Sequence, residues 1–201
     1  MLDTHARKYV QPKINYLAKL LIKINLTPIK ITIISLIIGI VSITLLFFNQ
    51  LVLAALFLWL SGLFDTLDGS VARITNTTSD LGAFLDITFD RVVELGIIIA
   101  LAFIQRDLGL MLVILTASIV LSLTIFLTVS SFAKNNGKKS LYYQAGLAER
   151  SEGFIFFTLM ILFPNIRETI GYIFAIFVFI TSIQRFHEGI KILNNKGDEH
   201  E

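Results

Sequence analysis

Long apolar stretches separated by short polar turns form the main pattern along this chain. Apolar runs of about 18 residues or more can cross the hydrocarbon core of a bilayer as helices. Polar pairs such as Asn49-Gln50 and Arg106-Asp107 mark turns, and the one long polar loop covers 134–149. The pattern predicts an all-α integral membrane protein with six transmembrane helices. We place these helices at residues 31–48, 51–73, 79–104, 108–134, 151–164 and 168–193.

The residues before the first predicted span have an amphipathic pattern with a helical period. One face carries Tyr16, Leu17, Leu20, Leu21 and Ile24, and three lysines fall largely elsewhere. This predicts an N-terminal amphipathic helix at 1–27 that lies in the membrane interface, with its lysines toward anionic headgroups. An ordinary basic flank before a first span is an equal alternative.

We therefore expect one membrane-embedded domain over residues 1–201. It consists of the interfacial helix, a six-helix bundle at 28–193 and a polar tail at 194–201. Pro28 suits the first turn of the bundle's first helix, because proline lacks the N–H that a first turn leaves unpaired.

The composition supports a membrane protein. Of the 201 residues, 55% are hydrophobic and only 16% are charged, and the mean hydropathy is +0.76. A soluble domain has charges on about a quarter of its residues. Cysteine is absent, which excludes disulfides, thiolate nucleophiles and zinc sites built from cysteine.

Lysine and arginine are distributed unevenly between the two sides of the predicted bundle. The residues before the first span include Arg7, Lys8, Lys13, Lys19, Lys23 and Lys30. The turns on the opposite side offer only Arg106 and Arg167. Because positively charged loops stay in the cytoplasm, we expect a multi-pass protein of the plasma membrane with both termini cytoplasmic. An acidic segment after the second span then also lies at the cytoplasmic face.

This segment carries five aspartates, Asp65, Asp68, Asp80, Asp86 and Asp90. Asp65 and Asp68 are three residues apart, and Asp86 and Asp90 are four apart, so each pair shares one helical face. A short turn predicts that the second and third spans are antiparallel neighbours, which lets the two pairs converge. Four carboxylates repel one another unless a cation joins them.

Three interpretations of the converging carboxylates are open. They could be protonated and hydrogen-bonded between helices, or they could form a cation or proton pathway, as in a transporter. A divalent metal site is favoured, because ligands that are all oxygen suit Mg²⁺, Mn²⁺ or Ca²⁺. The clustering of the acidic residues near one membrane face also disfavours a pathway.

Small residues surround Asp68. Gly69, Ser70 and Ala72 leave one face of the second span nearly free of side chains. Close helix packing alone explains such a face. Beside a metal site, the same face leaves room for a ligand, and Arg73 supplies a bidentate donor for phosphate. Together these residues indicate a site for diphosphate chemistry.

The spacing of these residues resembles the CDP-alcohol phosphotransferase family, which consists of membrane enzymes of phospholipid synthesis. The matching positions are Asp65, Asp68, Gly69, Ala72, Arg73, Gly82, Asp86 and Asp90. The resemblance implies that Asp65, Asp68, Asp86 and Asp90 bind two divalent cations, Mg²⁺ or Mn²⁺. It also implies that Asp90 acts as general base on the acceptor hydroxyl in a transfer that releases CMP.

The resemblance further implies contacts to a CDP-linked lipid donor. The residues expected beside the nucleotide are Gly69, Ala72, Arg73, Ser79 and Gly82. The stretch "PIKIT" is similar to the family's P-x-x-x-T element, whose backbone borders the nucleotide. That backbone belongs here to Pro28, Ile29, Lys30 and Ile31.

The segments "GLAERSEGF" and "SIQRFHEG" resemble the branch that makes inositol-phosphate lipids in bacteria and archaea. The resemblance implies that Arg150 and Arg185 bind the acceptor's phosphate, although anchoring of helix ends at headgroups is an alternative. A lysine of that branch has only Lys134 as its counterpart, out of step by one. We expect a phosphorylated polyol such as inositol phosphate as acceptor, with glycerol 3-phosphate or another alcohol as the alternative. The resemblance also implies a homodimer, and no nucleic-acid partner is expected.

Overall fold

The computed structural model describes residues 2–132 and 150–194, and side chains from residue 10 onward. Within these residues the chain is all-helical, as predicted, and contains no β-strand. The helices are α1 (Leu2–Lys23), α2 (Pro28–Phe47), α3 (Leu51–Ile74), α4 (Asp80–Ile104), α5 (Gly109–Phe132), α6 (Arg150–Leu162) and α7 (Arg167–Asn194). Short 3₁₀ turns at Arg106–Leu108 and Pro164–Ile166 precede α5 and α7.

Each predicted span corresponds to one helix from α2 to α7. Four segments are long and apolar enough to cross a membrane, namely Pro28–Phe47, Leu51–Ile74, Arg106–Phe132 and Pro164–Asn194. Helix α4 differs because several charged residues occupy its first half. Helix α6 differs because its 13 residues extend only about 20 Å, less than the hydrocarbon thickness of about 30 Å.

Asparagines end the first three helices. Asn25, Asn49 and Asn76 follow α1, α2 and α3 and have φ of 58°, 58° and 54°. Asparagine enters this left-handed region more readily than other side chains, so it closes a helix where the chain must turn sharply. These positions explain why the turns between the first four helices are short.

Helix α2 holds α3 and α4 in place. The Ser35 hydroxyl donates to the Ser61 carbonyl oxygen at 2.8 Å, and the Ser61 hydroxyl donates to the Ser35 carbonyl oxygen at 2.9 Å. Gly39 lies against Val93 of α4, where a side chain on the glycine would overlap the valine. Small residues therefore allow both neighbours to approach α2 closely.

Helices α3 and α4, predicted to be antiparallel neighbours, pack mainly against other helices among the described residues. Helix α4 packs along α2, with a smaller contact to α5, and α3 packs along α1, α2 and α6. Small residues of α2 let both helices approach it closely, so α2 brings α3 and α4 to the same part of the bundle. The aspartate pairs still converge, across a space that α3 and α4 do not fill.

Helix α1 contacts the bundle through one face and leaves another exposed. Ala18 is buried against Leu67 and Val71 of α3, and Leu21 packs at the same place rather than on the exposed face where it was predicted. The exposed side chains include Tyr16, Leu17, Leu20 and Ile24, together with Lys13, Lys19 and Lys23. Most of the predicted apolar face of α1 is therefore exposed and can contact lipid.

A buried arginine holds the far end of the short helix α6. Arg167 is only 2% exposed, although it was predicted to lie in a loop on the side opposite the acidic segment. It donates to the Met160 carbonyl oxygen at 2.6 Å and to Gln105 Oε1 at 3.0 Å. A cation at a helix C-terminus meets carbonyl oxygens that have no partner within the helix. Arg167 therefore ties the end of α6 to the turn after α4.

Candidate active site

Three of the motif carboxylates meet at one point. Oxygen atoms of Asp65, Asp68 and Asp86 all lie within 4.8 Å of one another. The two aspartates of α3 are buried, with 5% and 6% exposure, whereas the Asp86 side chain is partly open at 42%. The site is therefore closed on the α3 side and open on the α4 side.

The donor atoms at this point fit a divalent cation. Among the described residues, Asp68 Oδ2 and Asp86 Oδ1 are buried and have no hydrogen-bond partner. Burying a carboxylate oxygen without a partner costs free energy, so such atoms are expected where an ion completes the site. Oxygen-only donors suit Mg²⁺ or Mn²⁺. The predicted metal ligands Asp65, Asp68 and Asp86 thus come together as a metal would require.

Asp90 joins the same group through an arginine. Arg150, the first residue of α6, forms ion pairs with Asp65 of α3 and with Asp90 of α4, the latter at 2.6 Å. Its Nη1 also lies 3.9 Å from Asp86 Oδ1. The cation expected among the converging carboxylates is thus partly supplied by the chain itself. The excess of negative charge predicts some cation there, but Arg150 lies 60 residues from Asp90 in sequence and is not indicated by the motif.

A second charged pair on α4 lies outside the motif. Arg91 donates to Glu94 Oε1 at 2.8 Å, three residues further along the helix. This ion pair within one helix compensates the negative charge of the Glu94 carboxylate.

Three of the residues predicted beside the nucleotide, Gly69, Ala72 and Arg73, follow Asp68 in the last turns of α3. A side chain on Gly69 would lie 3.3 Å from Arg73 Nη1, so the arginine extends over the glycine. Arg73 donates to Ser70 Oγ at 3.1 Å and belongs to the exposed residues, and Ala72 is half-buried beside it. The Arg73 guanidinium therefore lies in the last turn of α3, where it can bind a phosphate.

Ser79 has a defined structural role. Its hydroxyl accepts a hydrogen bond from the Gly82 backbone N–H at 3.1 Å, which caps the N-terminus of α4. A helix N-terminus with a capping serine carries partial positive charge, which favours an anion nearby. Ser79 and Gly82 thus fix the start of the helix that carries Asp86 and Asp90.

The "PIKIT" stretch forms the first turn of α2. Pro28 is its first residue, and the Thr32 hydroxyl donates to the Pro28 carbonyl oxygen at 3.0 Å. Ile31 is buried, Ile29 is half-buried, and Lys30 is exposed. Thr32 also lies next to the Asp68 carboxylate. The first turn of α2 is therefore placed beside the metal-ligating end of α3.

The two arginines predicted to bind the acceptor have different neighbours. Arg185 of α7 donates to Ser122 Oγ of α5 at 3.0 Å, and its guanidinium lies over the Phe126 ring at 5.3 Å. Arg150 instead contacts the motif carboxylates. Lys134 lies outside the described residues.

The chain is similar to proteins of known family over most of its length. The family model for CDP-alcohol phosphatidyltransferase matches residues 25–184. The inner membrane protein YnjF of Escherichia coli is 30% identical and covers 97% of this chain and 98% of its own length. The archaetidylinositol phosphate synthase of Pyrococcus horikoshii is also 30% identical and covers 93% of this chain and 96% of its own length.

Solved structures of one further protein are also similar. The phosphatidylinositol phosphate synthase of Mycobacterium tuberculosis with CDP-DAG bound matches with a TM-score of 0.69 at 26% identity. This match covers 88% of this chain and 92% of that chain. The same enzyme in complex with manganese and citrate has the same TM-score and identity and covers 88% of each chain.

Proposed function

The chain belongs to the CDP-alcohol phosphatidyltransferase family, and on that basis we propose the reaction of this transferase. It moves a phosphatidyl-type group from a CDP-linked lipid to a hydroxyl of a phosphorylated polyol, inositol phosphate first, and releases CMP. The observation that carries this proposal is the convergence of Asp65, Asp68 and Asp86, with Asp90 joined to them through Arg150. The relatives named as synthases of inositol-phosphate lipids support the choice of acceptor.

The proposed step is a substitution at the phosphorus that bears the lipid. The acceptor oxygen forms a bond to this phosphorus, the bond to the CMP oxygen breaks, and the acceptor's proton passes to Asp90. Asp90 suits the role of base because its side chain is partly open and lies at the edge of the carboxylate cluster. Arg73 binds a phosphate of the donor, and the bare face at Gly69 admits the nucleotide.

Asp65, Asp68, Asp86 and Asp90 hold two divalent cations, Mg²⁺ or Mn²⁺. Bound there, these ions neutralise the donor's diphosphate and increase the acidity of the acceptor hydroxyl. A structure of a family relative in complex with manganese supports this assignment.

Arg150 and Arg185 bind the acceptor's phosphate. Both face polar neighbours, and a guanidinium binds phosphate through paired donors. Arg150 lies between the cluster and the start of α6, so a phosphate on it brings an acceptor hydroxyl toward Asp90. Glycerol 3-phosphate carries the same phosphate, and an acceptor panel distinguishes the two.

The chain is a multi-pass membrane protein, and we propose that α2 to α7 all cross the membrane. The two helices beyond the four spanning segments, α4 and α6, lie within the same bundle and border the site. We further propose that the site and both ends of the chain lie on the cytoplasmic side of the plasma membrane, which the distribution of lysine and arginine supports. Helix α1 then lies in the interface, with its exposed apolar residues in lipid. We also propose a homodimer, which native mass spectrometry in nanodiscs tests.

The test of the reaction uses the full chain in nanodiscs with CDP-DAG, Mg²⁺ or Mn²⁺, and a panel of acceptors. The panel contains inositol phosphate, glycerol 3-phosphate, inositol and serine. We expect CMP release with inositol phosphate and none without an acceptor. CMP release with glycerol 3-phosphate but not with inositol phosphate would contradict the proposed acceptor. If none of the four acceptors supported CMP release, the proposed transferase activity would be contradicted.

A further inference from the structure

Helices α3 and α6 meet along a narrow contact that we call the α3–α6 seam, formed by Trp59, Gly62, Phe154 and Thr158. Trp59 Nε1 donates to Thr158 Oγ1 at 2.9 Å. The Trp59 and Phe154 rings contact each other with centroids 5.9 Å apart. The seam thus holds α6 in one register along α3.

Gly62 is the point at which the seam can close. A Cβ on Gly62 would lie 2.6 Å from Phe154 Cε1 and 2.9 Å from Phe154 Cζ. Real Cβ atoms do not approach a ring that closely, so a side chain there forces the ring and α6 to move. The absence of a side chain at Gly62 therefore sets how near the two helices lie.

The seam leads directly to Arg150. Phe154 follows Arg150 by four residues, so both lie on one face of α6. The Arg150 guanidinium lies over the Phe154 ring at 5.8 Å, within the range of a cation–π contact. On the α3 side, Asp65 follows Gly62 by three residues and forms the ion pair with Arg150. The two helices therefore place an aromatic contact and then an ion pair in the same register.

From this geometry we infer that Gly62, Phe154 and the Trp59–Thr158 hydrogen bond are positioning residues for Arg150. They lie outside the aspartate motif, and they act by holding α6 so that the Arg150 guanidinium lies between Asp65 and Asp90. This inference rests on the acceptor role proposed for Arg150. If the inference is correct, acceptor affinity depends on seam residues that lie one and two helical turns from Arg150 and Asp65.

The position of Arg150 has a readout that does not require the reaction. A guanidinium among carboxylates opposes the binding of another cation to them. When Arg150 is removed or displaced, the carboxylates should bind Mn²⁺ more tightly. Electron paramagnetic resonance of Mn²⁺ in the absence of donor measures this affinity.

The seam also has its own reporter. Trp59 is the only tryptophan in the chain, so the intrinsic tryptophan fluorescence comes from the seam alone. Thr158→Val removes the hydrogen-bond partner of the indole and should shift the emission to shorter wavelength. Gly62→Ala and Phe154→Leu change the packing of the indole and should shift the emission as well.

The experiment compares Gly62→Ala, Phe154→Leu, Thr158→Val and Arg150→Ala with a matched control, Gly171→Ala. Gly171 also lies in a close contact, against Met111, where α7 meets α5. For Gly62→Ala we expect acceptor KM to rise about tenfold with donor KM within about twofold. We expect its Mn²⁺ affinity to rise about threefold, in the same direction as that of Arg150→Ala. Gly171→Ala should keep both constants at the wild-type values, whatever it does to stability.

The outcomes separate the two proposals. A shifted emission in Gly62→Ala and Phe154→Leu, with wild-type Mn²⁺ affinity and acceptor KM, would overturn the positioning role. An equal change of donor and acceptor KM would overturn it too, because a purely structural defect acts on both. If Gly62→Ala folds poorly, Thr158→Val carries the same test with a smaller change. If wild-type protein used no phosphorylated polyol, the proposed function would fail, whereas tighter Mn²⁺ binding in Gly62→Ala and Arg150→Ala would still support the positioning.

Discussion

Two arginines at the two ends of α6 have opposite surroundings. Arg150 begins the helix among Asp65, Asp86 and Asp90, which carry more negative charge than one guanidinium can neutralise. Arg167 follows the end of the helix and donates to carbonyl oxygens and an amide oxygen. In the proposed function, the first region takes up further cations and a phosphate. In the second region the guanidinium is hydrogen-bonded to oxygens of the chain and stabilises the fold.

The largest effect should come from the base at the charged end. Asp90→Asn removes the proton acceptor, and we expect kcat to fall by about 10²- to 10⁴-fold. Asp80→Asn is the matched control, because Asp80 begins the same helix but is exposed and lies outside the motif. CMP release from CDP-DAG with Mn²⁺ measures both. Equal activity of the two variants would remove Asp90 from the mechanism.

The two arginines should differ in their effect on acceptor binding. Arg150→Ala should raise acceptor KM by about 10²-fold, since it removes a charge-assisted phosphate contact, and should also lower the unfolding temperature, because the buried Asp65 loses its ion-pair partner. Arg167→Ala should keep acceptor KM and lower the free energy of unfolding by about 1.5–3 kcal/mol, because buried carbonyl oxygens lose a charged donor. Steady-state kinetics and thermal unfolding in detergent measure the pair. The reverse pattern would mean that the roles of the two ends are wrongly assigned.

Arg185 tests how far the charged region extends. Arg185→Ala should raise acceptor KM by about tenfold and leave donor KM unchanged, because one of two phosphate contacts is lost. Ser122→Ala is the control, since it removes only the hydroxyl that accepts from Arg185. A rise in donor KM of the same size would place Arg185 outside the acceptor site.

The smallest effect should come from the start of α4. Ser79→Ala removes the cap on Gly82 and should cost about 1 kcal/mol of stability. If Ser79 also contacts the nucleotide, donor KM rises as well. Ser79→Thr keeps the hydroxyl and should restore both values, and an unchanged donor KM in the alanine variant would limit Ser79 to the cap.

The sequence predicted the helices of the bundle and the convergence of the aspartates because both depend on local patterns. Hydrophobic runs fix the helices, and spacings of three and four place Asp65 with Asp68 and Asp86 with Asp90 on shared faces. The predicted neighbours α3 and α4 do bring their aspartates together, but their main packing is against α2. Connection length says that two helices are close in sequence, but the small residues of α2 decide which helices pack.

The contact between Arg150 and the carboxylates could not be predicted for a related reason. About 60 residues separate Arg150 from Asp90, and their approach depends on the register of α6 against α3, set by Gly62 and Phe154. Nothing in the spacing of the motif encodes that register. Arg167 was missed in the same way, because its partners come from the end of α6 and the turn after α4, which only the fold brings together.

The most direct test of the metal site is a titration of the donor-free protein with Mn²⁺, followed by electron paramagnetic resonance. The carboxylate cluster predicts two bound ions per wild-type chain, loss of at least one in Asp68→Asn, and wild-type binding in Asp80→Asn. Asp68 is chosen because its Oδ2 is buried without a hydrogen-bond partner among the described residues. Equal Mn²⁺ binding by Asp68→Asn and Asp80→Asn would contradict a metal site at the convergence of α3 and α4.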